Sequence, residues 1–322
     1  MPRARQRGAA LLLAMIIVTL ISTLAVSMVW QQWRAVQVET AERSRAQSAW
    51  LLSGALDWVG LILKEDARPT SQGSHLYDHL GEPWAVPLAE ARLSTFLAAT
   101  DKDASTDDAP DAFLSGNVTD AQSRFNLRNL VDPATGQVSA PDKEVLRQLC
   151  VNLNVSPTVA DVLVNGLRAA NTPAGAPGAS ADGPLPPKRI SQLTWLGVDA
   201  QALQRLEPYI VMLPDRTTVN VNTASREVIA AAIPGLNVGD AERLVQYRLR
   251  TPFKKHADIQ AQLTGTAPES LAGVDVKSDF FEVRGRLRLS DRVLEQRSMV
   301  RRNQRNIEIL SSERISSSDT GR

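Results

Sequence analysis

A long uncharged segment at the N-terminus constrains this chain more than any other feature. No charged residue occurs between Gly8 and Trp33, and three arginines precede the segment. About 20 apolar residues in a helix span the hydrocarbon core of a membrane, whereas the apolar part of a secretory signal is only about 7–15 residues long. The sequence therefore predicts a membrane-spanning helix over about residues 9–30 that the mature protein keeps.

The helical pattern continues beyond the uncharged segment. Apolar residues recur at steps of three and four, and no proline occurs between Arg3 and Pro69. This spacing is typical of an amphipathic helix. The sequence thus predicts one helix from about Ala9 to about Asp66. Its predicted apolar stripe comprises Trp33, Val36, Ala46, Ala49, Trp50, Leu52, Leu56, Val59 and Leu63.

Charged and aromatic residues at the two ends of the apolar segment predict its orientation. Arg3, Arg5 and Arg7 lie on one side, and Trp30 and Trp33 lie at the other end. Basic residues favour the cytoplasmic side of a membrane, and tryptophan favours its interfaces. We therefore expect a cytoplasmic N-terminus, both tryptophans at the far interface, and the bulk of the chain outside the cytoplasm.

Length and composition limit the remaining function classes. The 322 residues allow two domains beyond the N-terminal segment, and a formal net charge of +1 argues against a general polyanion binder. The single cysteine, Cys150, lies among apolar residues and is expected to be buried. No nucleophile with a paired base and no glycine-rich phosphate loop occurs in the sequence, so we expect no enzyme activity.

Two regions show the alternation of β-strands. Apolar residues from Phe113 to Val118 and from Phe125 to Leu130 predict a strand and a returning strand. Prolines and glycines over residues 67–93 predict irregular structure before them.

Near the C-terminus, alternation over residues 278–302 predicts a hairpin that turns at residues 290–292. The final residues are polar and are expected to form a disordered tail. The arginines predicted to lie on exposed strand positions are Arg284, Arg286, Arg288, Arg297, Arg301 and Arg302.

Helical periodicity dominates the region between these strands. It predicts two helices on either side of Ser156, two more at Ile190–Leu196 and Ala200–Leu206, and a mobile loop over residues 172–187, which are rich in proline, glycine and alanine. Ser225 is expected to cap a helix that ends at Ala232.

A second helix is predicted from Asp240 to Arg248, after the turn that follows Ala232. This unit resembles the helix-hairpin-helix of DNA-binding proteins, which include membrane-anchored competence receptors. A DNA receptor is therefore the alternative function. However, Asp240 and Glu242 would repel a phosphate at the helix N-terminus, and Lys254 and Lys255 add few cations, so we expect no nucleic acid partner.

Candidate metal ligands are sparse. His75 and His79 have a spacing found in zinc sites, but no third ligand is near them. An acidic cluster does not match the positions of a calcium loop and is expected to be a solvated loop. This cluster comprises Asp101, Asp103, Asp107, Asp108 and Asp111.

The basic leader that ends in Gly8, followed by an apolar segment within a longer helix, resembles the class III signal of type IV prepilins and pseudopilins. The resemblance implies cleavage between Gly8 and Ala9 by the prepilin peptidase and N-methylation of Ala9. The family usually has a glutamate at the fifth mature residue, where this chain has Leu13.

The order of elements, with the runs LGEPWA, DAQSRFNLRNL and VNVNTASREVIAAAIPGL, resembles the minor pseudopilins K of type II secretion systems. The resemblance implies an α+β fold in which a large all-α domain, like helix-hairpin-helix or SAM domains, is inserted into a pilin-like antiparallel sheet. The expected segments are a leader (1–8), the N-terminal helix (9–66), the first part of the pseudopilin domain (67–130), the inserted domain (131–275), C-terminal strands (276–310) and the tail (311–322).

The resemblance also implies a function. Such proteins sit in the inner membrane and join minor pseudopilins I and J at the tip of the pseudopilus, where they start its assembly and aid export of folded proteins. Some members bind calcium in the helical domain through an acidic segment. Here that place offers little beyond Asp182, so we expect calcium ligands to be largely absent and no cofactor to be required.

Overall fold

The N-terminal helix, α1, extends over Arg7–Asp66 in the computed structural model of the chain. The structure describes residues 7–68, 77–93, 112–171, 183–263, 268–289, 292–303 and 306–315. The chain divides into two units, Met1–Gly54 and Ala55–Arg322. The single long helix predicted over residues 9–66 is confirmed.

The other elements follow in chain order. The further α-helices are α2 (Ala140–Asn152), α3 (Thr158–Asn171), α4 (Ala200–Leu206), α5 (Arg226–Ala232), α6 (Val238–Arg248) and α7 (His256–Ala261). The strands are β1 (Leu88–Arg92), β2 (Ala112–Asp120), β3 (Phe125–Asn126), β4 (Ile210–Val211), β5 (Val219–Asn220), β6 (Val274–Asp275), β7 (Phe280–Leu289), β8 (Arg292–Asn303) and β9 (Asn306–Ile315). Short 3-10 helices include Pro83–Ala85 and Ile190–Leu196.

Five of the described strands form one antiparallel sheet in the order β1-β2-β7-β8-β9. The pairing of β2 with β7 is regular from Ala112 opposite Leu289 to Asp120 opposite Phe281. Strands β7 and β8 form the predicted hairpin. The predicted turn residues Ser290 and Asp291 lie outside the described residues.

Two strands of this sheet differ from the sequence predictions. Strand β1 lies in the region predicted to be irregular, and its residues Leu88, Ala91 and Arg92 pair with β2. Strand β9 continues to Ile315, so the prediction of a disordered tail over residues 311–322 is wrong for residues 311–315. Polar residues such as Ser311 and Ser312 lie in β9 because ladder hydrogen bonds to β8 need no apolar side chain on an edge strand.

One face of the sheet packs against the last turns of α1. Leu56 and Leu63 form a buried cluster with Trp84, Phe281 and Val300. Burial of each large apolar side chain contributes about 1.5–3 kcal/mol. Within residues 55–66, the predicted apolar stripe therefore faces the sheet.

Trp50 departs from the predicted stripe, since 79% of its surface is exposed. A helix turns by about 100° per residue, so the six positions from Trp50 to Leu56 fall about 120° short of two full turns. Residues that follow one another at steps of three and four can therefore drift around the helix, and Trp50 does not lie on the same face as Leu56.

The inserted domain has its own core. The buried side chains of α2, α3, α5 and α6 form one apolar cluster, which includes Leu149, Leu163, Ile229, Leu244 and Phe253. The helices predicted around Ser156 and after Ser225 are confirmed. Residues 172–182 of the predicted mobile loop lie outside the described residues.

The returning strand predicted over residues 125–130 is wrong. Phe125 and Asn126 form the short strand β3, which pairs in parallel with Ile210 and Val211 of β4 rather than with β2. Phe125 and Leu130 are buried in the core of the inserted domain. The domain therefore includes residues that the predicted boundary at 131 left out. Alternation identified an extended, half-buried segment but could not specify its partner strand.

Candidate functional site

The residues predicted to take part in N-terminal processing lie at the start of α1. The helix begins at Arg7, so Gly8 and Ala9 belong to its first turn, and Leu13 follows with 60% of its surface exposed. The segment Ala9–Asp66 includes a window of mean hydropathy 2.7 and is long and apolar enough to cross a membrane by length and composition. Cleavage after Gly8 and methylation of Ala9 stay predictions.

The two tryptophans predicted at the membrane interface lie together on α1. The ring centroids of Trp30 and Trp33 are 6.4 Å apart, and both rings are more than half exposed. The guanidinium of Arg34 lies 5.1 Å from the Trp30 ring centroid. An aromatic pair beside a cation suits the boundary between hydrocarbon and water, where the predicted interface is located.

Most of the candidate metal ligands belong to parts of the chain that the structure does not describe. Asp182, His75 and the acidic cluster over residues 101–111 lie outside the described residues, so the calcium prediction remains a prediction. His79 is described, and its Nδ1 accepts a hydrogen bond from the Gly81 backbone N–H at 3.0 Å. Cys150 is buried as predicted, and burial raises the pKa of its thiol to about 11.

The predicted helical hairpin forms from α5 and α6, but α6 begins at Val238 rather than at the predicted Asp240. Asn237 is the N-cap, and its Oδ1 accepts from the Asp240 backbone N–H at 2.9 Å. The connecting turn contains Gly235 at φ +81°, a conformation that favours glycine. The backbone N–H of Asp240, which a phosphate at this helix N-terminus would need, thus already donates to Asn237. The carboxylate of Asp240 lies beside it and bonds to the same asparagine.

The hairpin's second helix ends in an arginine that faces the protein. Arg248 is 9% exposed, and its Nη1 donates to the carbonyl oxygens of Val221 and, at 2.6 Å, of Ala224. Burial lowers its pKa to about 10. Arg248 therefore holds the segment before α5 in place instead of offering a cation to a nucleic acid. The expectation of no nucleic acid partner stays a prediction.

The most concentrated polar chemistry lies where the inserted domain joins the sheet. We call this cluster the buried junction. It comprises Asp66, Asp78, Glu82, Asp120, Asn220, Thr223, Ser278 and Arg302.

Asp120 is the centre of the junction on the side of the inserted domain. It ends β2, where the chain leaves the sheet, and Ser278 lies just before β7, where the chain returns. The carboxylate accepts hydrogen bonds from Gln122 N–H (2.7 Å), Asn220 Nδ2 (3.1 Å), Thr223 Oγ1 (2.5 Å) and Ser278 Oγ (2.6 Å). Burial raises the pKa of Asp120, and these hydrogen bonds oppose that effect. One carboxylate therefore ties both connections of the inserted domain together.

Arg302 joins the junction to α1. Its Nη1 donates to Asp66 at 2.8 Å, and its Nη2 donates to Asp78 and to the Ser278 carbonyl oxygen. Asp78 in turn accepts from the Ser278 backbone N–H at 2.7 Å, and its carbonyl oxygen accepts from Asn220. Burial acts to lower the pKa of Arg302, but the carboxylates outweigh it and the pKa is raised. The end of α1, β8 and the inserted domain are thus connected by continuous hydrogen bonds.

Glu82 is the third carboxylate, after Asp66 and Asp78, at the end of the junction that adjoins α1. Its Oε2 accepts from Trp84 Nε1 at 2.6 Å and from the His79 backbone N–H at 3.1 Å. Burial, followed by the nearby charge of Asp66, raises its pKa to about 7. Burial likewise raises the pKa of Asp78 to about 6, although Arg302 opposes the shift.

Carboxylate oxygens of Asp66, Asp78 and Glu82 all lie within 4.8 Å of one another. We assign no metal to them, because Arg302 already bonds two of the three carboxylates. Their arrangement performs a structural task rather than a chemical reaction.

Sequence reasoning missed this junction. The prediction that Arg302 is exposed is wrong, since it is 8% exposed. Consecutive strand residues point to opposite faces, so Arg301 and Arg302 could not share one exposed face. That alternation was the available signal, whereas nothing local marked Asp66, Asp78 or Asp120 as its partners.

Comparisons with known proteins all point to the same family. Two family models, both described as Type II secretion system (T2SS), protein K, match residues 123–215 and 219–277. These ranges cover most of the inserted domain. The helix-hairpin-helix pattern of α5 and α6 lies inside the second range.

Curated relatives match along most of the chain. A type II secretion system protein K from Pseudomonas aeruginosa is 26% identical, covering 90% of this chain and 87% of the relative. One from Pectobacterium carotovorum is 27% identical and covers 96% of each. One from Klebsiella pneumoniae is 29% identical and covers 80% of each.

A solved structure matches the fold. It is a chain of the GspK-GspI-GspJ complex from the type 2 secretion system of enterotoxigenic Escherichia coli. The TM-score is 0.66 at 20% identity, covering 86% of this chain and 99% of that chain. The predicted α+β fold, with a long N-terminal helix, a pilin-like sheet and an inserted helical domain, is confirmed. Together, the two family models, the curated relatives and the solved structure support the identification of this chain as a minor pseudopilin K of a type II secretion system.

Proposed function

We propose that this protein is the tip subunit of a type II secretion pseudopilus. In this role it starts assembly of the filament together with other minor pseudopilins and aids export of folded proteins through the outer membrane. It acts as a structural and interaction protein, not an enzyme, and requires no cofactor. The observation that carries the proposal is a pilin-like helix and sheet with a large domain inserted between β2 and β7.

The position at the tip follows from two features of the chain. Subunits within a filament stack on neighbours above and below, and a domain inserted between Asp120 and Phe280 adds bulk that hinders stacking. Leu13 occupies the place where the family usually has a glutamate that neutralises the amine of the subunit above. An ionised carboxylate without a partner costs about 2.5–3.5 kcal/mol in a bilayer. A topmost subunit has no such neighbour, so an apolar residue suits that position.

The membrane topology follows from the N-terminal helix. The prepilin peptidase cleaves after Gly8 on the cytoplasmic face of the inner membrane, and Ala9 becomes the methylated N-terminus. The helix then crosses the membrane, and Trp30 and Trp33 lie at its outer interface. The sheet and the inserted domain are periplasmic.

The partners are the minor pseudopilins of the I and J types. Support comes from the similar structure, which is that of a complex of GspK with GspI and GspJ. To test this, the full chain carrying an affinity tag is co-expressed with both candidates and the prepilin peptidase, then purified from membranes in detergent. We expect both pseudopilins to co-purify, whereas an unrelated single-pass membrane protein should not. Recovery of the tagged chain without either pseudopilin would contradict the proposal.

A substitution at Leu13 tests the argument about the tip. Leu13→Glu places a carboxylate in the membrane without a partner, so we expect less of the I and J pseudopilins to co-purify. Leu13→Met preserves the apolar character and serves as the control. If Leu13→Glu and Leu13→Met protein retained the I and J pseudopilins equally, the argument from the missing glutamate would fail. Leu13→Glu protein found along whole filaments would show that the inserted domain does not prevent stacking.

A further inference from the structure

The α1 end of the buried junction contains more negative than positive charge. Asp66, Asp78 and Glu82 have side chains that are 10%, 4% and 7% exposed, and Arg302 is the one cation bonded to them among the described residues. Carboxylates this close to one another disfavour simultaneous ionisation, particularly away from water. The charge count alone therefore predicts that this group of carboxyls holds a proton near neutral pH.

The hydrogen bonds indicate where that proton resides. Asp66 and Asp78 both bond to the guanidinium of Arg302, which favours their ionised forms. Among the described residues, Glu82 has no bond to Arg302 and accepts from Trp84 and from the backbone of His79. Glu82 is thus the carboxyl with the least compensation for a negative charge.

We propose that the segment over residues 77–86 is a proton-dependent clasp, which closes on α1 and β8 when Glu82 takes up a proton. In the ionised state, repulsion between Glu82 and the carboxylates of Asp66 and Asp78 loosens the segment. In the protonated state that repulsion is gone, and Trp84 remains packed on Phe281, with ring centroids 5.1 Å apart. Because the periplasm is open to small ions, external acid would strengthen the clasp.

Neighbouring charged groups influence the protonation of Glu82 in opposite directions. Asp66 from α1 and Asp78 from the same segment favour its protonation, and Asp120 lies beyond Asp78. His79 acts in the opposite direction, because its Nε2 lies 3.9 Å from Glu82 Oε1 and its protonated form would favour the carboxylate. The histidine must therefore be tested separately.

The direction of the pH effect follows from the raised pKa values, about 7 for Glu82 and about 6 for Asp78. A carboxyl whose pKa is higher in the folded than in the unfolded state binds its proton more tightly when folded. Its stabilising effect is complete below the unfolded values of 4.5 and 3.8, and is lost as pH rises through about 6 to 7. The lowered pKa of Glu282 acts only in stronger acid, as pH falls below its ordinary range.

Hydrogen exchange of the full chain in detergent micelles tests the clasp. Amide protection over residues 77–86 is compared at pH 5.5 and pH 7.5 after correction for intrinsic exchange. We expect at least about tenfold greater protection at pH 5.5, because one titrating group supplies about a factor of ten per pH unit between its unfolded and its folded pKa. Glu82→Gln should show the acid-like protection at both pH values. Glu65→Gln, at an exposed glutamate near the end of α1, should behave like the wild type.

Several outcomes would overturn the proposal. Wild-type protection that does not change with pH, or that falls in acid, contradicts it directly. Glu82→Gln protein that fails to fold also contradicts it, because the neutral side chain should be tolerated. His79→Gln should keep the pH dependence, and its loss in that variant would assign the effect to the histidine instead.

Discussion

The core of the inserted domain and the buried junction are both shielded from water but are built from opposite chemistry. The domain's core consists of leucine, isoleucine, valine, alanine and phenylalanine side chains, whereas the junction consists of carboxylates, an arginine, amides and hydroxyls. Apolar burial is non-directional and tolerates replacement by side chains of similar volume. A buried charge network depends on each partner, because removing one leaves another uncompensated. The two regions should therefore respond differently to substitution.

The largest expected effect is at Arg302. Arg302→Met leaves Asp66 and Asp78 buried without their cation, and breaking a buried pair in this way costs about 3–5 kcal/mol of unfolding free energy. Urea unfolding of the full chain in detergent measures the loss. Arg286→Met replaces an exposed arginine on β7 and should change stability by less than about 0.5 kcal/mol. Equal losses in the two variants would show that the junction does not depend on its cation.

A smaller effect is expected in the apolar core. Leu163 is fully buried on α3, and Leu163→Ala should cost about 3 kcal/mol through lost burial and the cavity it leaves. Leu163→Met, of similar volume, should cost less than about 1.5 kcal/mol. Urea unfolding compares the two variants. If Leu163→Met were as damaging as Leu163→Ala, the core would be as intolerant as the junction and the comparison would fail.

The smallest effect is expected at the turn between α5 and α6. Asn237→Ala removes the side chain that accepts from the Asp240 backbone N–H and should cost about 1 kcal/mol. Asn237→Ser keeps an N-cap acceptor and should retain most of the stability. Equal losses for serine and alanine in the same unfolding experiment would rule out capping as the role of Asn237.

The same contrast explains which features could be predicted from the sequence. Helix α5 was predicted from Ser225, Ala232 and the turn that follows, because capping and periodicity are local signals. The junction was not, because Arg302 and Asp66 are 236 positions apart. No local pattern specifies such a pair. Only strand alternation indicated that Arg302 and Arg301 face opposite ways.

Strand pairing shows the same limit. Phe125 lies in an extended segment as predicted, but its partner, Ile210, follows helices α2, α3 and α4 in the chain. Strand β9 was missed because its alternation is weak at Ser311 and Ser312, and its register depends on backbone bonds to β8. The N-terminal helix was predicted nearly to the residue, because membrane-spanning length and the absence of proline act within one segment.

A processed subunit of a secretion filament has a shortened and methylated N-terminus, so the mature N-terminus of this chain is the most informative measurement of the proposed role. The full chain is co-expressed with a prepilin peptidase, purified from membranes and analysed by intact-mass measurement. Gly8→Leu protein serves as the reference for an uncleaved chain. We expect loss of residues 1–8 and gain of one methyl group at Ala9. A chain that keeps its first eight residues in the presence of active peptidase would contradict the proposed role.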